Sequence, residues 1–111
     1  MQLASKMRFI TAQFLAYLED ELWRELANHA NDMAQRLAVS LSRTNGIEFV
    51  CPVDCNMLFP RLSSEALEAL QKDFYFYTWD QEERIARWVT SFDTTEDDID
   101  RFATAVKAVL P

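Results

Sequence analysis

From Leu3 to Ser42 the chain contains neither glycine nor proline. A stretch of that length without either breaker is free to be helical throughout, and the spacing of its apolar residues says how. Met7, Ile10, Phe14, Leu18 and Leu22 recur at three- and four-residue steps, which predicts one amphipathic helix face. The acidic cluster Glu19, Asp20 and Glu21 predicts a bend or break, and beyond it Leu22, Leu26, Ala30, Met33, Leu37 and Leu41 form a second stripe. Two consecutive helices are the simplest outcome.

After Asn45-Gly46, a turn and helix stop, Ile47, Phe49 and Cys51 alternate with Glu48 and Val50 as in a half-buried strand that Pro52 ends. Residues 56–61 read as a second strand, which Pro60 confines to its end or to a sheet edge. Ser63-Ser64-Glu65 opens a short helix that ends near Lys72. The aromatic run Phe74 to Trp79 and the stretch Arg84 to Phe92 read as two strands paired in a hairpin. Thr94-Thr95-Glu96-Asp97-Asp98 supplies the cap and acidic first turn of a last helix, whose buried stripe is Ile99, Phe102, Ala103, Val106 and Leu110. The fold class is therefore α+β: a small, mainly antiparallel sheet with helices packed on it, preceded by two long helices, in a single domain over residues 1–111.

Half of the 111 residues are apolar, which suits a packed globule. The net charge of −7 argues against nucleic acid and anionic membranes as partners and leaves small molecules or protein surfaces. The apolar stretch Phe9 to Leu18 runs into the acidic cluster without a small-residue cleavage site, and it is too short to span a membrane. Cys51 and Cys55 cannot complete a structural zinc site and read as reduced thiols of a cytoplasmic protein, with a short-loop disulfide as the alternative.

Self-contained catalytic chemistry is hard to find in these residues. Gly46, the only glycine, sits in a turn rather than in a phosphate cradle. A serine or cysteine nucleophile needs a base, and His29, the only histidine, reads as a packing or surface residue of the second helix. Glu96, Asp97, Asp98 and Asp100 suit helix capping and solvation better than a metal, since consecutive helical carboxylates diverge. Trp23, Trp79 and Trp88 read as core or interface anchors. Lys72 and Lys107 meet helix C-termini, and Lys6 has no obvious burial to depress its basicity.

Five landmarks in register carry a family resemblance. Gln2-Leu3-Ala4-Ser5-Lys6-Met7-Arg8-Phe9, Tyr17-Leu18-Glu19-Asp20 with Leu22-Trp23, His29-Ala30-Asn31 with Met33-Ala34, Phe76-Tyr77-Thr78, and Arg87 to Thr95 follow one another in order. Together they resemble the C-terminal small domain of low-specificity threonine aldolases, fold type I pyridoxal-phosphate enzymes of the β-eliminating lyase group. The resemblance implies a lyase that cleaves β-hydroxy-α-amino acids to glycine and an aldehyde, within a cytoplasmic homo-oligomer. It also implies that the large domain, with its Thr-Lys-Asn-Gly stretch bearing the Schiff-base lysine, lies outside these residues. On that expectation the chain alone holds no pyridoxal phosphate, no catalytic residue and no metal. Two arginines carry over: Arg87 matches the residue that grips the substrate α-carboxylate, and Arg8 one near the active site at a subunit boundary.

Between Trp79 and Arg87 the chain departs from the family, with Asp80-Gln81-Glu82-Glu83 where glycines are common. Without the resemblance, Arg87 reads as a strand residue paired to a surface acid such as Asp93 or Glu83. The whole chain then reads as a stand-alone acidic module that binds a protein or an amino acid without chemistry. The two readings differ in whether the reading frame continues upstream into a Thr-Lys-Asn-Gly stretch.

Overall fold

A run without glycine or proline still breaks where neighbouring residues take left-handed backbone, and this one does so in the acidic cluster. The computed structural model describes residues 5–111. Helix α1 (Met7–Leu18) ends in a single 3-10 turn (Glu19–Glu21), in which Asp20 and Glu21 have φ of 51° and 60°, and α2 (Leu22–Leu41) follows. Left-handed backbone is costly for residues other than glycine, so two in succession turn the chain sharply instead of continuing the helix. An ion pair from Arg24 to Glu21 at 2.5 Å braces the new helix start.

α2 buries Ala30, Met33, Ala34, Leu37 and Leu41, the second half of the expected stripe. Its first half and all of α1 project away from the body. None of α1 is buried, and the face read as amphipathic stays uncovered, with Phe14 and Leu18 each 62% exposed. The radius of gyration, 17.5 Å, records this projection against the roughly 13 Å of a compact domain of this length.

The turn at Asn45-Gly46 needs its glycine. Gly46 has a φ of +83°, and a Cβ there would come within 3.1 Å of the Pro111 ring. The strands that follow are shorter than expected: β1 (Glu48–Phe49), β2 (Met57–Leu58), β3 (Pro60–Arg61), β4 (Tyr77–Asp80) and β5 (Ile85–Val89). The stretch read as one strand over residues 56–61 divides at Phe59. Its two pieces nevertheless keep one register along β5, with Met57 opposite Val89, Leu58 opposite Trp88 and Arg61 opposite Ile85. Pro60 is buried and faces Phe49 of β1, so its missing N–H interrupts the ladder without displacing the chain. β4 pairs antiparallel with β5 as the expected hairpin, and all the strand pairings are antiparallel.

Helix α3 (Ser64–Leu70) starts where the Ser63 hydroxyl accepts the Ala66 N–H. Helix α4 (Glu96–Val109) starts in a capping box between Thr95 and Asp98. The Thr95 hydroxyl and N–H both donate to Asp98 and hold its carboxyl below the usual carboxylate range. One core joins α2, α3 and α4 to a single face of the sheet through Leu37, Leu58, Leu70, Ala86, Trp88 and Val106. Trp88 is the anchor of this layer, edge-on to Phe102 at 4.8 Å and to Phe76 at 6.1 Å. Trp23 and Trp79 are 43% and 61% exposed, so of the three tryptophans only Trp88 is a core residue. Buried Thr90 ties the end of β5 to α2, its hydroxyl donating to the Ala30 carbonyl at 2.7 Å.

Candidate functional site

Strand alternation sends Ala86 and Trp88 into the core, and it turns Ile85, Arg87 and Val89 to the opposite face. That second face is open, with Tyr77, Trp79 and Val89 each more than half exposed, and it is rich in rings. Tyr77 stands directly across from Arg87 on β4. The Arg87 guanidinium carbon lies 5.3 Å from the centre of the Tyr77 ring and 5.6 Å from that of Trp79. Both rings are braced in turn, Tyr77 edge-on to Tyr75 at 5.5 Å and Trp79 edge-on to Phe59 at 5.5 Å. The Tyr75 phenol is held above its ordinary range by the neighbouring Tyr77.

The acids that the sequence offered Arg87 are engaged elsewhere. Glu83 pairs with Arg61 at 3.2 Å, and Asp93 accepts from the Ser91 hydroxyl. Asp80, the acid nearest on β4, accepts the Glu83 N–H at 2.9 Å. Among the described residues Arg87 has no carboxylate partner, and its buried Nε makes no hydrogen bond. A surface-pair role for Arg87 is thus not what the structure shows. Rings attract the cation through their quadrupole without neutralising it, so its charge stays available to an incoming anion.

Arg8, on α1, is exposed and has no hydrogen bond or ion pair among the described residues; nothing there joins it to Arg87 or its rings. The Gln2, Leu3 and Ala4 that open the family-like segment lie outside the described residues. His29 donates from Nε2 to the Thr94 carbonyl at 2.7 Å, which fastens α2 to the start of α4 and is a structural role. Lys6, Lys72 and Lys107 are all exposed. Glu96 and Asp100 pair with Arg36, both at 3.1 Å, and no cluster suited to a metal ion occurs among the described residues. Cys51 and Cys55 are exposed free thiols. A cavity of about 200 Å³ opens between Phe74, Phe76, Trp88 and Phe102, and Arg87 does not line it. Tyr77 and Trp79 went unread as partners of Arg87; the signal available was their spacing of two in a strand, which puts both rings on one face.

No family model matches the chain. Its relatives include low-specificity L-threonine aldolase of a Pseudomonas species, 41% identical over 110 residues that cover 98% of this chain and 32% of that protein. The enzyme of the same description from Pseudomonas aeruginosa is 37% identical, with the same two coverages. Among solved structures, Leishmania major threonine aldolase superposes with a TM-score of 0.80 at 33% identity, over 89% of this chain and 30% of that one. Glycine decarboxylase (P-protein) of the glycine cleavage system superposes with a TM-score of 0.74 at 27% identity, over 89% and 24%. The chain spans about a third of the length of the curated relatives it matches. No helix among the described residues is long and apolar enough to cross a membrane.

Proposed function

Taking as premise that this chain is homologous, over nearly its whole length, to one third of the low-specificity threonine aldolases, we propose that it is the C-terminal small domain of such an enzyme. The parent enzyme cleaves the Cα–Cβ bond of β-hydroxy-α-amino acids and releases glycine and an aldehyde. Pyridoxal phosphate supplies the electron sink for that bond cleavage. These residues do not fit as its seat: every lysine is exposed, and the one glycine packs on Leu110 and Pro111 instead of opening toward a phosphate. No step of the chemistry is therefore assigned to this chain, whose part is to hold the substrate.

The observation that carries the assignment is Arg87, held by two rings and, among the described residues, by no acid. A guanidinium offers a flat fork of N–H donors that matches a carboxylate in two-pronged fashion. Gripping the substrate at its α-carboxylate limits how the rest of the molecule turns, and such orientation lowers the barrier without any proton transfer by Arg87 itself. Arg8 belongs to the proposal at a subunit boundary, on a helix whose apolar side chains want cover.

The test compares two proteins. The full-length protein, loaded with pyridoxal phosphate, should release glycine and acetaldehyde from threonine. The 111-residue chain should stay colourless after dialysis with the cofactor and leave threonine intact. A visible absorption band that survives dialysis, with borohydride fixing the cofactor on Lys6, is the contrary result.

The uncovered α1 leads to a second expectation. Phe14, Leu15 and Leu18, each more than 60% exposed and on one side of α1, form an apolar surface of a kind that monomers rarely keep in water. The isolated chain should therefore self-associate or lose the order of α1. Sedimentation as a monomer, together with amides protected from exchange throughout residues 7–18, counts against it.

A further inference from the structure

We propose that Tyr77 and Trp79 are positioning residues for the Arg87 clamp, whose guanidinium they hold over their rings while leaving its charge unspent. The inference rests on the carboxylate role assigned above and goes beyond it. An arginine on an open sheet face is a long, mobile side chain, and fixing it costs conformational entropy. A neighbouring carboxylate is the usual anchor, but it satisfies the fork and so competes with a substrate carboxylate. Aromatic rings avoid that conflict, because they draw the cation to their faces and leave its in-plane N–H groups to bond an anion.

The backbone is arranged to place both rings. Tyr77 faces Arg87 directly across the β4–β5 pair, where cross-strand neighbours touch. The register then shifts between Thr78 and Asp80, so that β4 carries one more residue than β5 at Trp79. Such a bulge re-aims a side chain, and here Trp79 lies 5.6 Å from the guanidinium carbon that Tyr77 approaches to 5.3 Å. Phe59 and Tyr75 meet these rings edge-on from outside. Arg84, left-handed at a φ of 57°, closes the hairpin that sets the register.

The experiment uses the full-length enzyme loaded with pyridoxal phosphate and the variants Tyr77→Leu, Trp79→Leu, both together, Tyr77→Phe and Arg87→Ala. Tyr77 and Trp79 are 56% and 61% exposed, so their replacement leaves the core intact. The paired leucine variant should raise the KM for threonine and the inhibition constant of glycine by ~5- to 30-fold, with kcat changed about twofold or less. Tyr77→Phe, which keeps the ring, should stay within about twofold of the parent. Combined with Arg87→Ala, the leucine substitutions should add nothing, since they act only through that guanidinium. Additive losses, or a paired leucine variant that binds glycine like the parent while Arg87→Ala does not, would overturn the positioning role. Normal glycine binding by Arg87→Ala itself would instead remove the carboxylate reading on which the role depends.

Discussion

Arg87→Ala in the full-length, cofactor-loaded enzyme is expected to lower kcat/KM for threonine by on the order of 2–5 kcal/mol. The size follows from the setting. A carboxylate that loses a charged, two-pronged partner in a partly desolvated site keeps its desolvation cost and loses its compensation. Arg87→Lys should recover only part of the loss, because a point charge on a flexible stem replaces the planar fork. Steady-state cleavage at matched cofactor occupancy measures both. A purely structural arginine on this sheet face gives a different pattern, with about 1 kcal/mol or less lost in stability and turnover intact.

The second large effect lies in the core. Trp88→Ala should cost about 3–5 kcal/mol of folding stability, a substantial part of what a domain of this size possesses. Trp88 is 4% exposed and carries the edge-on contacts to Phe76 and Phe102 that join the sheet to α4. Trp88→Phe should cost under about 1.5 kcal/mol, for a reason visible in the packing. The indole N–H is buried and has no acceptor among the described residues, so removing it discards a group that was already unfavourable there. Denaturant unfolding of the two variants checks this, and equal losses in both would show that indole shape, rather than ring burial, holds the layer.

Much of this architecture was legible because its signals are local. The helix stripes, the capping run before α4, the Asn45-Gly46 turn and the acidic break each depend on residues within a few positions of one another. The break itself is set by backbone at Asp20 and Glu21, where the charges predicted a bend but not its left-handed form. Strand lengths were overestimated because ladder pairing is a property of two strands. One extended stretch divides in two at Phe59, although β5 keeps a common register with both halves.

The site was legible only in part, for the same reason. Family landmarks mark Arg87, yet its surroundings depend on which β4 residue lies opposite, and a one-residue bulge at Trp79 decides that. Sequence proximity favoured Glu83 and Asp93 as partners. The fold instead gives Glu83 to Arg61 and Asp93 to Ser91, and it leaves the guanidinium to the rings. Arg8 stands on a helix none of whose residues is buried, and no local sequence signal tells what covers such a face.

That Arg87 grips the α-carboxylate is tested most directly by a pair of ligands differing in that group alone. Glycine and methylamine, each titrated as a competitor of threonine cleavage in the full-length enzyme, share the amine and differ in the carboxylate. The parent should bind glycine much more tightly than methylamine, and Arg87→Ala should erase most of that advantage while leaving methylamine affinity unchanged. An advantage for glycine that survives the substitution intact would contradict the assignment and place the carboxylate contact on another residue.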